Sequence, residues 1–191
     1  EIARAGLSGF IVPRSDAHQG EYVAPRDERL SWLTGFTGSA GFAVALATRA
    51  AVFVDTRYRV QVKAQVADVF EKVDWPEMSL GRWIAAAQGG SGRIGFDPWL
   101  LTVEQRRKLE EEMPGLTLVA CDNLVDRIWT DRPAPPLGKV VPHPLELAGE
   151  TSGDKIARLA RGLGTAQAAV ITLPDSIAWL LNIRGSDIPH N

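Results

Sequence analysis

The chain has 191 residues with 21 basic and 23 acidic side chains, so its net charge is −2, and 45% of its residues are hydrophobic. That composition excludes a disordered, collagen-like or coiled-coil chain as a whole, and the charge balance argues against a protein that grips nucleic acid by its phosphates. One cysteine, Cys121, leaves no internal disulfide framework and points to a reducing compartment, the cytoplasm; no apolar run reaches the roughly 18 residues of a membrane span.

In chain order, Gly9-Phe10-Ile11-Val12 closed by Pro13 reads as a buried strand. A polar stretch from Arg14 to Glu21 follows. Pro25-Arg26-Asp27 opens a short helix through Leu30 and Leu33 that Gly35 ends. After the glycine-rich turn from Gly35 to Gly41, Gly41 to Ala47 and Ala51 to Val54 form a hairpin around Thr48-Arg49. Thr56 to Val66 has helical spacing, and Val69 to Val73 is a further strand. Leu80, Trp83, Ile84 and Ala87 form an amphipathic helix stopped by Gly89-Gly90-Ser91-Gly92. A strand at Arg93 to Asp97 precedes a helix capped by Thr102, with Gln105 completing a capping box. Met113-Pro114-Gly115 ends that helix, Leu116 to Ala120 is a strand, and Leu124, Val125, Ile128 and Trp129 make one short helix.

Five prolines between Arg132 and Pro144 mark an extended connector. A helix carrying Ile156, Leu159, Ala160 and Leu163 then follows Ser152-Gly153-Asp154. Ala168 to Leu173 is predicted as a strand, and Pro174 heads a helix through Ile177, Leu180 and Leu181. Alternating strands and helices give an α/β protein, and the hairpin makes its sheet mixed. The expected organisation is a first domain over 1–131, a connector over 132–150 and an incomplete second domain over 151–191. The chain starts with neither an initiator Met nor a signal-peptide pattern, and Asp187-Ile188-Pro189-His190-Asn191 reads as cut in mid-structure. A piece of a longer protein is therefore expected.

Familiar catalytic motifs are missing. There is no GxxxxGK[ST], and Gly35, Gly38 and Gly41 lead into a strand where a phosphate loop leads into a helix. Gly89 to Arg93 lacks the last glycine of a GxSxG elbow. His18, His143 and His190 are too scattered for a metal site, so no metal is expected in this chain. Cys121 reads as a small buried hydrophobe, and Glu110, Glu111 and Glu112 as a solvated helix end. Tryptophans on amphipathic patterns read as core.

Two polar clusters stand out. Asp16 and His18 sit in a dense loop after a buried strand; they read as turn-fixing groups, with ligand binding as the second possibility. Asp55-Thr56-Arg57-Tyr58 joins a strand to a helix. Asp55 is a candidate N-cap that positions the turn. Arg57 carries a planar donor fork suited to a carboxylate or carbonyl, and a surface ion pair is its competing explanation.

These clusters lie within blocks that resemble long-form, three-domain aminopeptidase P, a Xaa-Pro aminopeptidase of the creatinase/prolidase superfamily. The blocks are Val12 to Pro25, Thr34 to Gly41, Asp55 to Tyr58, Gly95 to Pro98, Asn123 to Pro133 and Ile177 to Asn191, in order over nearly the whole chain. The resemblance implies an α/β domain with a mixed sheet, followed by the start of a second similar domain. It implies an enzyme that removes the N-terminal residue of peptides with proline in second position. The family's chemistry resides in a C-terminal domain where two aspartates, one histidine and two glutamates hold two divalent ions, usually manganese. No residue of this chain matches those ligands, so by resemblance the chain is a non-catalytic part with no cofactor of its own. Its implied tasks are restricting substrate access and supporting subunit association. The implied partners are Xaa-Pro peptides, the protein's own catalytic domain and a second subunit of a homodimer, without nucleic acid or membrane. The arginine of the family's Asp-Gly-Arg-Tyr motif binds peptide and matches Arg57, with Asp16 and His18 on the same surface. Thr56 replaces the glycine, which would strain the turn if it needs positive φ. A stand-alone binding or dimerisation module, or a related hydrolase such as one acting on creatine, are the alternatives.

Overall fold

The computed structural model describes residues 1–189. Six strands, β1 (Gly9–Pro13), β2 (Gly41–Leu46), β3 (Ala50–Val54), β4 (Phe70–Asp74), β5 (Gly92–Phe96) and β6 (Leu116–Ala120), form one mixed sheet in the order β4-β3-β2-β1-β5-β6. β2 is antiparallel to both β1 and β3, while the pairs β3–β4, β1–β5 and β5–β6 are parallel. Five strands therefore run one way and β2 alone runs against them. The expected mixed α/β architecture is what forms.

Side chains alternate across this sheet, as a pleated backbone requires. Phe10, Val12, Ala43, Val52 and Val54 enter one core with Leu30 of α1 (Arg29–Thr34) and Val62 of α2 (Arg59–Gln65). Ile11, Val44, Phe53, Ile94 and Phe96 enter the other, with Trp83 and Ile84 of α3 (Leu80–Gln88) and Leu109 of α4 (Val103–Glu112). Both faces are covered, so β1 is buried along its whole length and reads as a continuous apolar run. A Cβ at Gly95 would come within 2.5 Å of Leu7 Cδ1 and 2.8 Å of Phe10 Cδ2, so β5 carries glycine where the first core presses closest.

Local signals place the helices. Thr102 Oγ1 accepts from Gln105 N at 3.1 Å and Thr102 N donates to Gln105 Oε1 at 2.8 Å, the reciprocal capping box that the spacing predicts. Gly35 ends α1 at φ 80°, where a side chain is disfavoured. Pro25–Asp27 form a separate 3-10 turn before α1. Thr56 is strain-free: it opens a 3-10 turn (Thr56–Tyr58), and among the described non-glycine residues only Gln19 and Asn182 have positive φ.

Two elements differ from expectation. Residues 124–128 form turns and 129 is irregular, so no helix forms there. Asn123 Oδ1 takes the Val125 N–H at 3.1 Å, and Asp126 is drawn to Arg29 and Arg132, so local and tertiary bonds compete with a helical ladder. Residues 168–173 are irregular rather than a strand. They are exposed and pair with no strand among the described residues, and without a ladder partner β-propensity alone forms no strand.

Beyond the sheet, β7 (Val141–Pro142) pairs antiparallel with β8 (Ile183–Arg184). Between them lie α5 (Leu145–Ala148), α6 (Ser152–Arg161) and α7 (Pro174–Leu181). Thr151 caps α6, accepting from Asp154 N at 3.1 Å. The buried Lys155 amine ties α6 to α7 through Trp179 O at 2.9 Å and Asn182 Oδ1 at 2.7 Å, and lies 4.4 Å from the centre of the Trp179 ring.

Candidate functional site

Because β1, β3, β4, β5 and β6 are mutually parallel, their carboxyl ends open onto one edge of the sheet, the position where α/β folds place ligand-binding groups. The two polar clusters singled out in the sequence both lie there. Asp16 and His18 follow β1, and Asp55 and Arg57 follow β3. Asp97 and Trp99 follow β5, and Asn123 follows β6.

Asp16 is 4% exposed. Its Oδ1 accepts from His18 N at 2.9 Å and Gly20 N at 3.1 Å, which is the bonding of a turn-fixing aspartate. Buried Ser15 ties the same loop to the β5 exit through Leu100 O at 3.1 Å. His18 is exposed and, with Asp16, Trp99, Asn123, Arg127 and Asp187, lines a cleft of about 880 Å³. Within its wall, Asn123 Nδ2 donates to Asp97 Oδ2 at 3.1 Å and Asp97 Oδ1 accepts from Trp99 N at 3.0 Å.

Asp55 and Arg57 meet directly. Asp55 Oδ1 accepts from Arg57 N at 2.9 Å, and Asp55 Oδ2 accepts from Arg57 Nη2 at 2.6 Å. The guanidinium bond holds the Asp55 carboxyl below its ordinary value and raises Arg57 in turn. Arg57 lies 5.0 Å from the Tyr58 ring centre, and the Tyr58 hydroxyl is 2.9 Å from Ser39 Oγ. Beside Ser39, a pocket of about 200 Å³ is lined by Arg14, Glu21, Phe42, Trp75 and Gln105. Arg14 Nη1 donates to Glu21 O at 2.6 Å, while its buried Nε has no hydrogen-bond partner among the described residues.

The edge thus has two parts, the exits of β1 and β3, with β2 between those strands. Asp16 and His18 share one turn on the larger cleft, whereas Arg57 is not in the wall of that cleft. Glu21, at the end of the Asp16 loop, brings its charge to bear on Arg57.

Sequence reasoning assigned no side-chain role to the charged cluster at the cleft mouth. Arg29 Nε donates to Asp126 Oδ1 at 2.7 Å, and Arg29 Nη1 to Asp27 Oδ1 at 3.0 Å. Arg132 Nη1 reaches Asp126 Oδ2 at 2.6 Å, and its Nε donates to Arg26 O at 2.8 Å. Burial depresses Arg29, but the Asp126 and Asp27 carboxylates outweigh it and leave the group raised; burial and the neighbouring Arg29 charge lower Arg132. The sequence signal was Asp126 and Arg132 within one block, without Arg29 and Asp27, which complete the cluster. His190 lies outside the described residues. Among the described residues no group of three or more His, Cys, Asp or Glu side chains is arranged to hold a metal ion.

Residues 1–128 match the family model of the creatinase/prolidase N-terminal domain. The chain belongs to that family. A second model of the same description matches residues 131–191. A probable Xaa-Pro aminopeptidase P from Neosartorya fischeri is 43% identical over 95% of this chain, which covers 29% of that protein. One from Coccidioides posadasii is 40% identical, with 31% of its length covered. The chain thus spans about 30% of the length of these curated relatives. An X-prolyl aminopeptidase from Caenorhabditis elegans, described as a cytosolic enzyme with a di-nuclear active site, superposes at TM-score 0.88 and 36% identity. That match covers 97% of this chain and 32% of the nematode chain. The N-terminal domain of the cytoplasmic peptidase PepQ from Mycobacterium tuberculosis aligns over 66% of this chain and 91% of its own, at TM-score 0.51 and 26% identity. No described helix is long and apolar enough to cross a membrane.

Proposed function

We propose that this creatinase/prolidase N-terminal domain is the non-catalytic, substrate-facing part of a cytoplasmic aminopeptidase. The whole enzyme removes the N-terminal residue of peptides with proline in second position, on two divalent ions, manganese, held outside this chain. The supporting observation is the 0.88 superposition on the nematode X-prolyl aminopeptidase over 97% of the chain, combined with an arginine at the carboxyl edge whose outer donors are open. Arg57 contacts the peptide and Asp55 positions it, while Asp16 builds the loop that carries His18 along the same approach. The edge narrows the way in, so folded or bulky substrates are rejected by shape alone. The first domain spans 1–131, the connector 132–150, and a second domain begins at 151; the assembled enzyme is a homodimer.

The test is kinetic. In the full-length enzyme, Arg57→Ala lowers kcat/KM for an Ala-Pro-Ala peptide by about tenfold, the loss expected for one hydrogen bond from a charged donor. Unchanged kinetics would return Arg57 to a surface ion pair. The isolated chain releases no N-terminal residue in the presence of manganese; chelator-sensitive turnover by the pure chain overturns the proposal.

A further inference from the structure

Arg57 exposes 62% of its side chain, yet only part of its donor set is open. Its backbone N–H, Nε and one N–H of Nη2 all go to the Asp55 carboxylate. Nη1 donates to none of the described residues, so the outer edge of the fork faces solvent. The group does not swing freely. It lies over the Tyr58 ring, and that ring is fixed edge-on against buried Phe36, centres 5.5 Å apart, and through its hydroxyl to Ser39.

The charge around that edge is acidic. Asp55 carries a full negative charge directly against the guanidinium, 2.6 Å from Arg57 Nη2. We propose, resting on Arg57 as a peptide contact, that Asp55 makes the Arg57 edge a site for a neutral carbonyl of a peptide interior and not for a free carboxylate. A carboxylate docked on Nη1 becomes a second anion beside the one already in place. A peptide carbonyl brings only a partial charge and still accepts the charge-assisted bond. Asp55 is ionised at neutral pH, as an ordinary carboxylate is. Asp55 is then a specificity-determining positioning residue: it aims the fork and cancels the charge that would favour an acid.

The test titrates the 191-residue chain with Ala-Pro-Ala and with its C-terminal amide at low salt, where screening is weak. The readout is the backbone amide resonances of Ser39, residue 55 and Tyr58 around the Arg57 edge, which are present in every variant. The amide binds at least as tightly as the acid in the native chain. Asp55→Asn keeps a side-chain oxygen for the turn but removes the charge, and shifts the acid-to-amide affinity ratio toward the acid by about fivefold. Arg57→Ala weakens both peptides and abolishes that response. A native chain that prefers the acid, or a ratio untouched by Asp55→Asn while Arg57→Ala still weakens binding, overturns this inference alone. Binding of both peptides that Arg57→Ala leaves intact, or no peptide response at all, removes Arg57 as a peptide contact and the inference with it.

Discussion

Arg57 and Asp55 are two residues apart, so the chain's own geometry brings them together; the Asp55 cap was legible from the spacing, while the guanidinium bond from Arg57 to it emerges only in the structure. The bonds of Asp16 are likewise local, to residues two and four positions on, and the sequence supported a turn-fixing role. What it did not reveal is that the two clusters occupy different parts of the edge, because that depends on β2 lying between β1 and β3 in the sheet. The same pairing gives a pH signature. Asp55 and Glu71 are both held below the ordinary carboxylate range by hydrogen bonds from arginine, Arg57 and Arg49 respectively. A carboxyl whose pKa falls on folding contributes stability that is present above its unfolded value and is lost as pH drops through its folded value. The urea midpoint of the chain should therefore decline below about pH 4, and Asp55→Asn with Glu71→Gln should flatten that limb. The change is small, since both pairs are open to solvent. A midpoint that rises on acidification through that window contradicts the assignment.

At the level of elements, the strands were readable because apolar runs bounded by turn residues have few other uses in a sheet covered on both faces. The helix at 103–112 was readable because its cap is reciprocal and local. Residues 124–129 were not, because Asp126 answers to Arg29, 97 positions away. That ion cluster fastens the segment leaving the sheet to the segment entering α1, beside the stacked Trp32 and Trp129 rings, 5.4 Å apart. The Arg29 side chain is only 7% exposed. Asp126→Ala leaves this cation short of its main partner and should cost about 3 kcal/mol in urea unfolding. A loss under about 1 kcal/mol would mean that solvent screens the pair. Thr102→Ala, which removes only the cap of α4, should cost about 1 kcal/mol, and Gly95→Ala about 1–3 kcal/mol through overpacking against Leu7 and Phe10.

Across the whole molecule, apolar burial is unevenly shared. Both cores lie within residues 1–129 and include every fully buried large side chain of the sheet. After residue 131, Ala178 is the one buried hydrophobic residue among those described, while Leu137 is 93% and Val170 88% exposed. The later part is held by polar ties instead, chiefly Lys155 to Trp179 and Asn182, and Asn182 Nδ2 to Glu150 O at 2.9 Å. Hydrogen bonds of that kind contribute about 1 kcal/mol each, which is little against the entropy of ordering some fifty residues. The sheet and the α6–α7 pair should therefore open with different free energies. Under native conditions, amides of β1, β2 and β3 should exchange with solvent only through global unfolding, and those of α6 and α7 orders of magnitude faster. Limited proteolysis should cut first between residues 132 and 173 and leave a resistant core ending near the Arg132 clamp. Asp126→Ala should shorten the lifetime of that core without moving the first cut. Initial cleavage inside 9–120, or equal protection of α6 and β2, would show instead that the two parts unfold as one unit.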